Sequence, residues 1–227
     1  MGMMTLFKAR NAAAKQAKGE VEEALKLYKE ALDEGMSDPR YVLSYSVLLL
    51  RQEEYQAARA LLVKFQKAPM TDDQRTTLFV NYACAVFKLG DLEKAIQVLE
   101  ARHRKQPSGI VYETLGYLYI EAGDAEKAIA FNEEAMEYDD EDSITLDNLA
   151  QAYYRLAGDK EKAKQYFEKA LALKPSQIDT LYFLAQYDIE EGKKDDARKK
   201  LETTLEGRFS PLNYATREKV QKLLDTL

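Results

Sequence analysis

A short turn recurs along the chain at intervals close to 34 residues. Its successive positions are 34, 37, 33, 35 and 34 residues apart, and they hold Gly19, Glu53, Gly90, Gly123, Gly158 and Gly192. Five residues after each turn position lies an alanine: Ala24, Ala58, Ala95, Ala128, Ala163 and Ala197. Two markers that keep one phase through six repeats predict a chain built from a repeated structural unit.

The residue types indicate what this unit is. Helix-forming residues are abundant, whereas the 227 residues include only 10 Gly and 5 Pro, so helix is expected nearly throughout. Glycine favours the left-handed position that ends a helix, and the acidic residue after most of the turns favours the start of the next helix. The alanine suits a site where two helices cross, because a larger side chain there would cost about 1–3 kcal/mol. Each unit is therefore predicted to be a helix, a tight turn and a second helix.

The pattern resembles the tetratricopeptide repeat, whose units carry a large apolar residue, Leu followed by Gly or Ala, Tyr, Ala, an aromatic residue, Ala and Pro. The fifth unit supplies Leu146, Leu149, Ala150, Tyr153, Ala163, Phe167, Ala170 and Pro175. The fourth supplies Tyr112, Leu115, Gly116, Tyr119, Ala128 and Ala135, with Asn132 in place of the aromatic residue. The resemblance implies an all-α fold, a right-handed α-solenoid of antiparallel helix pairs with about six such units and a C-terminal capping helix.

We expect one superhelical domain over residues 1–227. Its predicted parts are units 5–38, 39–72, 76–108, 109–142, 143–177 and 178–211, followed by a capping helix over 212–227. Ser210 is predicted as the N-cap of that helix and Pro211 as its first residue. Thr71 and Gln74 have the spacing of a capping box, which predicts that a fresh helix begins there. The fifth unit carries one extra residue in its turn, at residues 156–158.

The chain lacks the residues that common catalytic sites need. It has one histidine, His103, and one cysteine, Cys84. A histidine-rich metal site or a histidine-containing hydrolase triad needs more partners than this chain offers. His103 is predicted to end a helix, and Cys84 to be a small residue of the core or groove. The acidic run 137–142 lacks the Gly and Glu spacing of a calcium loop, so solvated surface is favoured over a cation or basic-partner site. We predict no enzyme, no cofactor and no metal.

Charge and hydropathy exclude further classes. The net charge of −6 argues against nucleic acid, and no apolar run approaches the roughly 20 residues that span a bilayer, so no membrane partner is expected. With a single cysteine, no internal disulfide can form, which suits a cytoplasmic protein.

In the tetratricopeptide repeat family, the first helices of successive units line a concave groove. The resemblance implies these groove residues: Leu43, Val47, Val80, Cys84, Phe87, Lys88, Glu113, Tyr117, Ile120, Asp147, Gln151, Tyr154, Arg155, Tyr182, Gln186 and Ile189. The alternative for each aromatic residue is packing against the neighbouring repeat. The Lys and Asn pairs of the family's chaperone-tail clamp are missing at the matching positions, so no such clamp is predicted.

We therefore predict a non-catalytic adaptor that binds a peptide or helix of a partner protein in this groove. Two alternatives stay open, a self-assembling homo-oligomeric scaffold and a regulatory domain that senses a peptide ligand. The predicted state of the chain is a monomer or a weak homo-oligomer.

Overall fold

The computed structural model describes residues 2–227, and within that range the chain forms helices and no strand. The helices, in chain order, are α1 (Met3–Ala17), α2 (Val21–Asp33), α3 (Pro39–Arg51), α4 (Tyr55–Phe65), α5 (Asp72–Lys88), α6 (Leu92–His103), α7 (Gly109–Ala122), α8 (Ala125–Tyr138), α9 (Ser143–Gln151), a π-helical turn (Ala152–Ala157), α10 (Lys160–Leu173), α11 (Ile178–Glu190), α12 (Lys194–Glu206) and α13 (Arg217–Leu224). Six consecutive helix pairs and a C-terminal helix confirm the predicted all-α repeat fold.

The turns inside the six pairs have the predicted left-handed backbone. All six positions, Gly19, Glu53, Gly90, Gly123, Gly158 and Gly192, have positive φ, between 61° and 93°. Glu53, at φ 61°, is the one residue other than glycine with positive φ in the described part of the chain. A side chain in this region costs about 1–2 kcal/mol, so the second unit carries backbone strain that the others avoid.

The alanines after the turns lie where the prediction placed them. Ala24, Ala58, Ala95, Ala128, Ala163 and Ala197 are all fully buried. The tight packing extends to Gly116 in the fourth unit, where an added Cβ would lie 2.3 Å from Oδ1 of Asn132. Asn132, which replaces the aromatic residue of the repeat pattern, is itself fully buried and donates from Nδ2 to the Ala128 carbonyl at 2.8 Å.

The capping box at the start of α5 is confirmed. The Gln74 amide donates to Thr71 Oγ1 at 3.2 Å, and the Thr71 amide donates to Gln74 Oε1 at 3.1 Å. The third unit therefore begins with a helix that has a complete N-terminus of its own.

The C-terminal helix begins later than predicted. Ser210 and Pro211 lie in an irregular segment, and α13 starts at Arg217, with Thr216 as the N-cap that accepts from the Lys219 amide. The expectation of helix from residue 212 was wrong because Asp179 accepts hydrogen bonds from the backbone amides of Tyr214 and Ala215, which holds this segment outside a helix. Val220 is nevertheless fully buried, and Leu223 and Leu224 pack against the same apolar cluster, as a capping helix requires.

The extra residue of the fifth unit is accommodated inside the first helix of that unit and not in its turn. The end of α9 widens into the π-helical turn, at whose end the Gly158 amide donates to the Tyr153 carbonyl five residues earlier. A π-helical turn adds a residue and rotates the side chains that follow it, and such turns occur frequently at functional sites.

Contacts divide the chain into two compact units, an N-terminal unit that ends at Arg102 and a C-terminal unit from His103 to Leu227. The N-terminal unit holds α1–α5 and nearly all of α6, and the C-terminal unit holds α7–α13. A single domain over residues 1–227 stays a prediction.

Candidate partner-binding face

The first helices of the C-terminal unit are joined side by side through hydrogen bonds. Asn148 of α9 donates from Nδ2 to the Glu113 carbonyl of α7 at 2.8 Å, and Thr180 of α11 donates from Oγ1 to Asp147 of α9 at 2.5 Å. Arg155 of the π-helical turn donates to Glu121 of α7 at 2.7 Å. We call the surface built by α7, α9, the π-helical turn and α11 the first-helix face of the C-terminal unit.

A continuous chain of polar side chains runs across this face. Asp147, only 3% exposed, accepts from Thr180 and also from Gln151 Nε2 at 2.7 Å. Gln151 Oε1 in turn accepts from Arg155 at 3.0 Å, and the other end of the Arg155 guanidinium donates to Glu121. Each member holds the next in one orientation, so the guanidinium is fixed before any partner arrives.

Two carboxyl groups of this face are buried close to each other. Burial raises the pKa of Asp147, and the nearby Asp179 carboxylate raises it further. Burial also raises the pKa of Asp179, whereas its hydrogen bonds from Asn213, Ala215 and Tyr214 lower that pKa by a smaller amount. Desolvation disfavours the charged form, so these acids hold their protons to higher pH than exposed ones.

Glu113 is a third acid on this face, and it is half-buried. Burial raises its pKa to about 7, with a further contribution from Asp142, while Lys174 acts in the opposite direction. Within the described residues, no hydrogen bond reaches its carboxylate from another side chain. A desolvated carboxylate without a donor favours a cation or a hydrogen-bond donor from a partner.

An irregular segment near the C-terminus lies on the same face. Tyr214 places its ring 4.1 Å from the Arg155 guanidinium carbon, and its ring centroid lies 5.2 Å from that of Phe183 and 6.3 Å from that of Tyr182. Asp179 accepts from Asn213 Nδ2 at 3.0 Å and from the amides of Tyr214 and Ala215 at 3.1 and 2.8 Å. The chain thus covers part of its own first-helix face.

The structure separates the groove residues predicted in the C-terminal unit into two sets. Tyr117, Ile120, Asp147 and Gln151 are buried, whereas Glu113, Tyr154, Arg155, Tyr182, Gln186 and Ile189 are half-buried. Tyr154 packs in an apolar cluster, with its ring centroid 5.1 Å from that of Phe183 and 5.7 Å from that of Tyr187. Packing against the neighbouring repeat, the alternative considered for each aromatic residue, describes Tyr154 well.

The corresponding residues of the N-terminal unit are mainly apolar. Leu43, Val80 and Cys84 are buried, Val47 and Phe87 are half-buried, and Lys88 is exposed. Here α3 and α5 are joined by a neutral hydrogen bond, from Asn81 Nδ2 to Ser46 Oγ at 2.9 Å. Burial raises the pKa of the Cys84 thiol to about 12, so it acts as a small packing residue and not as a nucleophile.

His103 and the acidic run serve local structure. His103 is the last residue of α6, and its ring packs edge-on against Tyr112 and Phe131, with Nε2 3.4 Å from Glu134. Asp142 caps α9 by accepting from the amides of Ile144 and Thr145. Across residues 2–227, His, Cys, Asp and Glu side chains form no group of three or more that could hold a metal ion.

Sequence reasoning missed several residues of this face. Glu121, Thr180 and Asp179 lie outside the family's groove positions, and Asn213 and Tyr214 lie in the segment predicted to be helical. An aspartate at the first turn of α11 resembles a helix-start signal, so its bonds to residues 34–36 positions later had no signature in the sequence.

Comparisons with known proteins agree with this architecture. The TPR repeat-containing protein YpiA of Bacillus subtilis (strain 168) is 26% identical over 228 residues, covering 87% of this chain. The chain spans only 54% of the length of that curated relative.

Two solved structures share the fold. A MamA structure, residues 41 to the end from Desulfovibrio magneticus RS-1, is 24% identical with a TM-score of 0.61, covering 78% of this chain and 98% of that one. YrrB, described as a TPR protein with an unusual peptide-binding site, is 20% identical with a TM-score of 0.52, covering 74% of this chain and 85% of its own.

No helix in the described range is long and apolar enough to cross a membrane. Two sequence profiles, each described as tetratricopeptide repeat, match residues 10–70 and 110–176, which together make up more than half of the chain. With six helix pairs whose turns and crossing alanines follow the repeat, the chain belongs to the tetratricopeptide repeat family.

Proposed function

We propose that this protein is a non-catalytic interaction module that binds a peptide or helix of a partner protein on its first helices. One observation carries the proposal: on the first-helix face of the C-terminal unit, half-buried polar and aromatic groups lie next to a buried network of hydrogen bonds. Arg155, Tyr182, Gln186 and Glu113 offer a cation, an aromatic ring, an amide and a carboxylate within one surface. These are groups that recognise protein segments and, without a nucleophile and base in contact, perform no evident reaction.

The fixed geometry of Arg155 supports this function. A free arginine side chain loses rotamer freedom when it binds, at a cost of about 0.5–1.5 kcal/mol. Arg155 has already lost that freedom, because Gln151 and Glu121 hold its two ends. YrrB, which shares the fold and is described as having an unusual peptide-binding site, gives the proposal further support. The buried free thiol of Cys84 is compatible with the expected cytoplasmic location.

Paired variants can test whether the face binds partners. Gln186→Arg with Glu113→Arg changes the charge and shape of the first-helix face, and Gln165→Arg with Glu168→Arg makes the same chemical changes on exposed positions of α10. Both variants and the wild type would serve as bait in lysate, after their helicity is shown to match. We expect the α10 variant to capture the same proteins as the wild type and the face variant to lose them. Equal capture by all three baits would contradict the proposal.

Self-assembly is a second candidate function, favoured by one end of the N-terminal unit. Met3, Met4 and Phe7 of α1 are 90%, 69% and 66% exposed, a density of exposed large apolar side chains that marks association surfaces. We expect light scattering to detect concentration-dependent oligomers that disappear in a Met3→Ser, Met4→Ser, Phe7→Ser variant. A wild type that stays monomeric at high concentration would exclude this second function.

A further inference from the structure

We propose that Asn213, Tyr214 and Ala215 are an internal occupant of a peptide site on the first-helix face of the C-terminal unit. The site would take a partner segment of the same chemistry, an amide side chain followed by an aromatic and a small residue in a non-helical conformation. This inference rests on the proposed function and names the chemistry of the partner.

The first part of the site is the Asp179 carboxylate, which binds the backbone of the occupant. Asp179 is 5% exposed, and its two carboxylate oxygens accept the amides of Tyr214 and Ala215 at 3.1 and 2.8 Å. Two successive amides on one carboxylate define the course of the bound backbone whatever its side chains are. The third bond, from Asn213 Nδ2 at 3.0 Å, adds a preference for an amide side chain before the aromatic residue.

The second part is a pocket for an aromatic ring. The Arg155 guanidinium lies 4.1 Å from the Tyr214 ring centroid, within the range of a cation–π contact. Phe183 stacks on Tyr214 with an interplanar angle of 22°, and Tyr182 lies at 6.3 Å. A guanidinium already fixed by Gln151 and Glu121, together with two aromatic rings, suits an aromatic side chain of a partner as well as that of Tyr214.

The occupant differs from the parts of the chain around it. Residues 208–216 have no regular helix, and Pro211, Leu212, Asn213 and Tyr214 are only half-buried. Ala215 is fully buried in the same cluster as Val220, and Lys219 of α13 donates from Nζ to the Tyr214 carbonyl at 3.0 Å. To leave the face, the segment gives up this bond and withdraws one small side chain, that of Ala215, from the cluster. Val220, Leu223 and Leu224 still hold α13 against the cluster.

Tethering determines how strongly the segment competes. A short tether gives an intramolecular group an effective concentration of the order of millimolar, and the apparent affinity for an external ligand falls by the fraction of open sites. The wild type would bind a free peptide weakly. Removal of the Asn213 and Tyr214 side chains would leave an internal segment held mainly by its backbone amides, which a complete peptide would displace more readily.

A peptide in trans tests this directly. The probe is a fluorescent synthetic peptide with the sequence of residues 208–217, and binding is read by anisotropy. The release variant carries Asn213→Ala and Tyr214→Ala, and the control variant carries Tyr138→Ala, at an exposed tyrosine of the same unit. We expect at least tenfold tighter binding to the release variant than to the wild type or the control. Adding Asp179→Asn to the release variant should remove the gain. One of the two acceptor oxygens becomes an NH2 group, which cannot accept a hydrogen bond from a backbone amide of the peptide.

Two results would overturn the inference. One is a release variant of wild-type helicity that binds the peptide no better than the wild type. The other is a gain in binding that persists with Asp179→Asn, since the site would then lie elsewhere.

Hydrogen exchange of the wild type gives a second measurement that requires no variant. By NMR, the amides of Tyr214 and Ala215 should exchange at least tenfold faster than that of Val220, because the segment opens without unfolding α13. Equal rates for the three amides would show that the segment opens only when α13 does, which contradicts an exchangeable occupant.

The outcome is distinguishable from that of the proposed function. Gln186→Arg and Glu113→Arg test the face without changing Asn213 or Tyr214. Loss of partners in that variant, with no peptide binding by the release variant, would leave the function standing and refute the internal occupant.

Discussion

The first-helix faces of the two units differ in the polarity of the side chains that they bury. In the N-terminal unit, Leu43, Val80 and Cys84 are buried and the inter-helix hydrogen bond joins two neutral groups, Ser46 and Asn81. In the C-terminal unit, the corresponding helices bury Asp147 and Asp179, which accept hydrogen bonds from amide groups and one hydroxyl. One repeat pattern therefore supports both an apolar and a charged face.

The difference indicates a division of work within the chain. Apolar burial stabilises a fold by about 25 cal/mol per Å², whereas buried charges cost desolvation that their partners only just offset. A charged face is thus a poor choice for stability alone. It is a good choice for recognition, because its groups are rigid, desolvated and specific about their partners. Under the proposed function, the C-terminal face recognises the partner and the N-terminal face supports the fold.

The largest expected effect comes from removing the Asp179 carboxylate at one end of the charged face. Asp179→Ala leaves the amides of Tyr214 and Ala215 without an acceptor, and should lower the free energy of unfolding of the C-terminal unit by about 3 kcal/mol. Hydrogen exchange, which reads each unit separately, should show the loss there and no change in α3 and α5. Asp140→Ala, at an exposed position, is the control. A loss shared equally by both units would contradict the comparison.

The two units should also respond to pH with opposite sign. In the C-terminal unit, the folded pKa of Glu113, about 7, lies above its ordinary 4.5, so the native state binds more protons than the unfolded one. Stability due to this group is present below pH 4.5 and is lost as the pH rises toward 7. Asp147, which faces Asp179 and Lys174, acts in the same direction.

Between pH 5 and pH 8 the C-terminal unit should lose about 2 kcal/mol, after allowance for the access of water to Glu113. In the N-terminal unit, hydrogen bonds from Lys15 and Arg40 lower the pKa values of Glu20 and Asp38, so the stability due to these two carboxylates should fall as the pH drops. Urea unfolding at several pH values, followed by hydrogen exchange of the amides of each unit, measures both pH dependences. A Glu113→Gln, Asp147→Asn variant whose pH slope equals that of the wild type would refute the assignment.

How far the sequence predicts this molecule depends on the range of the interaction. The turns, the buried alanines and the capping box of Thr71 follow from residues a few positions apart, and all are present. Asn132 was evident as a departure from the pattern, but its fit against Gly116 depends on a distance between helices. The bonds of Asp179 join α11 to a non-helical segment at residues 213–215, which lies 34 to 36 positions later, so no local pattern contains them.

The neutral pair of the N-terminal face gives a smaller effect that sharpens the contrast. Ser46→Ala removes the acceptor of Asn81, which is 8% exposed, and should cost about 1–2 kcal/mol. Adding Asn81→Val should recover most of that loss, because two apolar groups of similar size leave no polar atom unpaired. Denaturant unfolding of both variants measures the recovery. No recovery would mean that the N-terminal face also depends on its polar groups.

The smallest effect concerns the one turn that departs from glycine. Glu53→Gly should stabilise the N-terminal unit by about 0.5–1 kcal/mol, since relief of the left-handed strain at φ 61° exceeds the extra entropy that glycine has when unfolded. Gly90→Ala is the matched reverse change, in the same unit and at φ 93°, where an added Cβ meets nothing within 4 Å. It should destabilise the unit by about 1 kcal/mol through the backbone alone. Thermal unfolding of the pair decides the matter: if Glu53→Gly lowers stability while Gly90→Ala behaves as expected, the Glu53 side chain contributes a contact that outweighs its strain, and the N-terminal unit is not held by apolar packing alone.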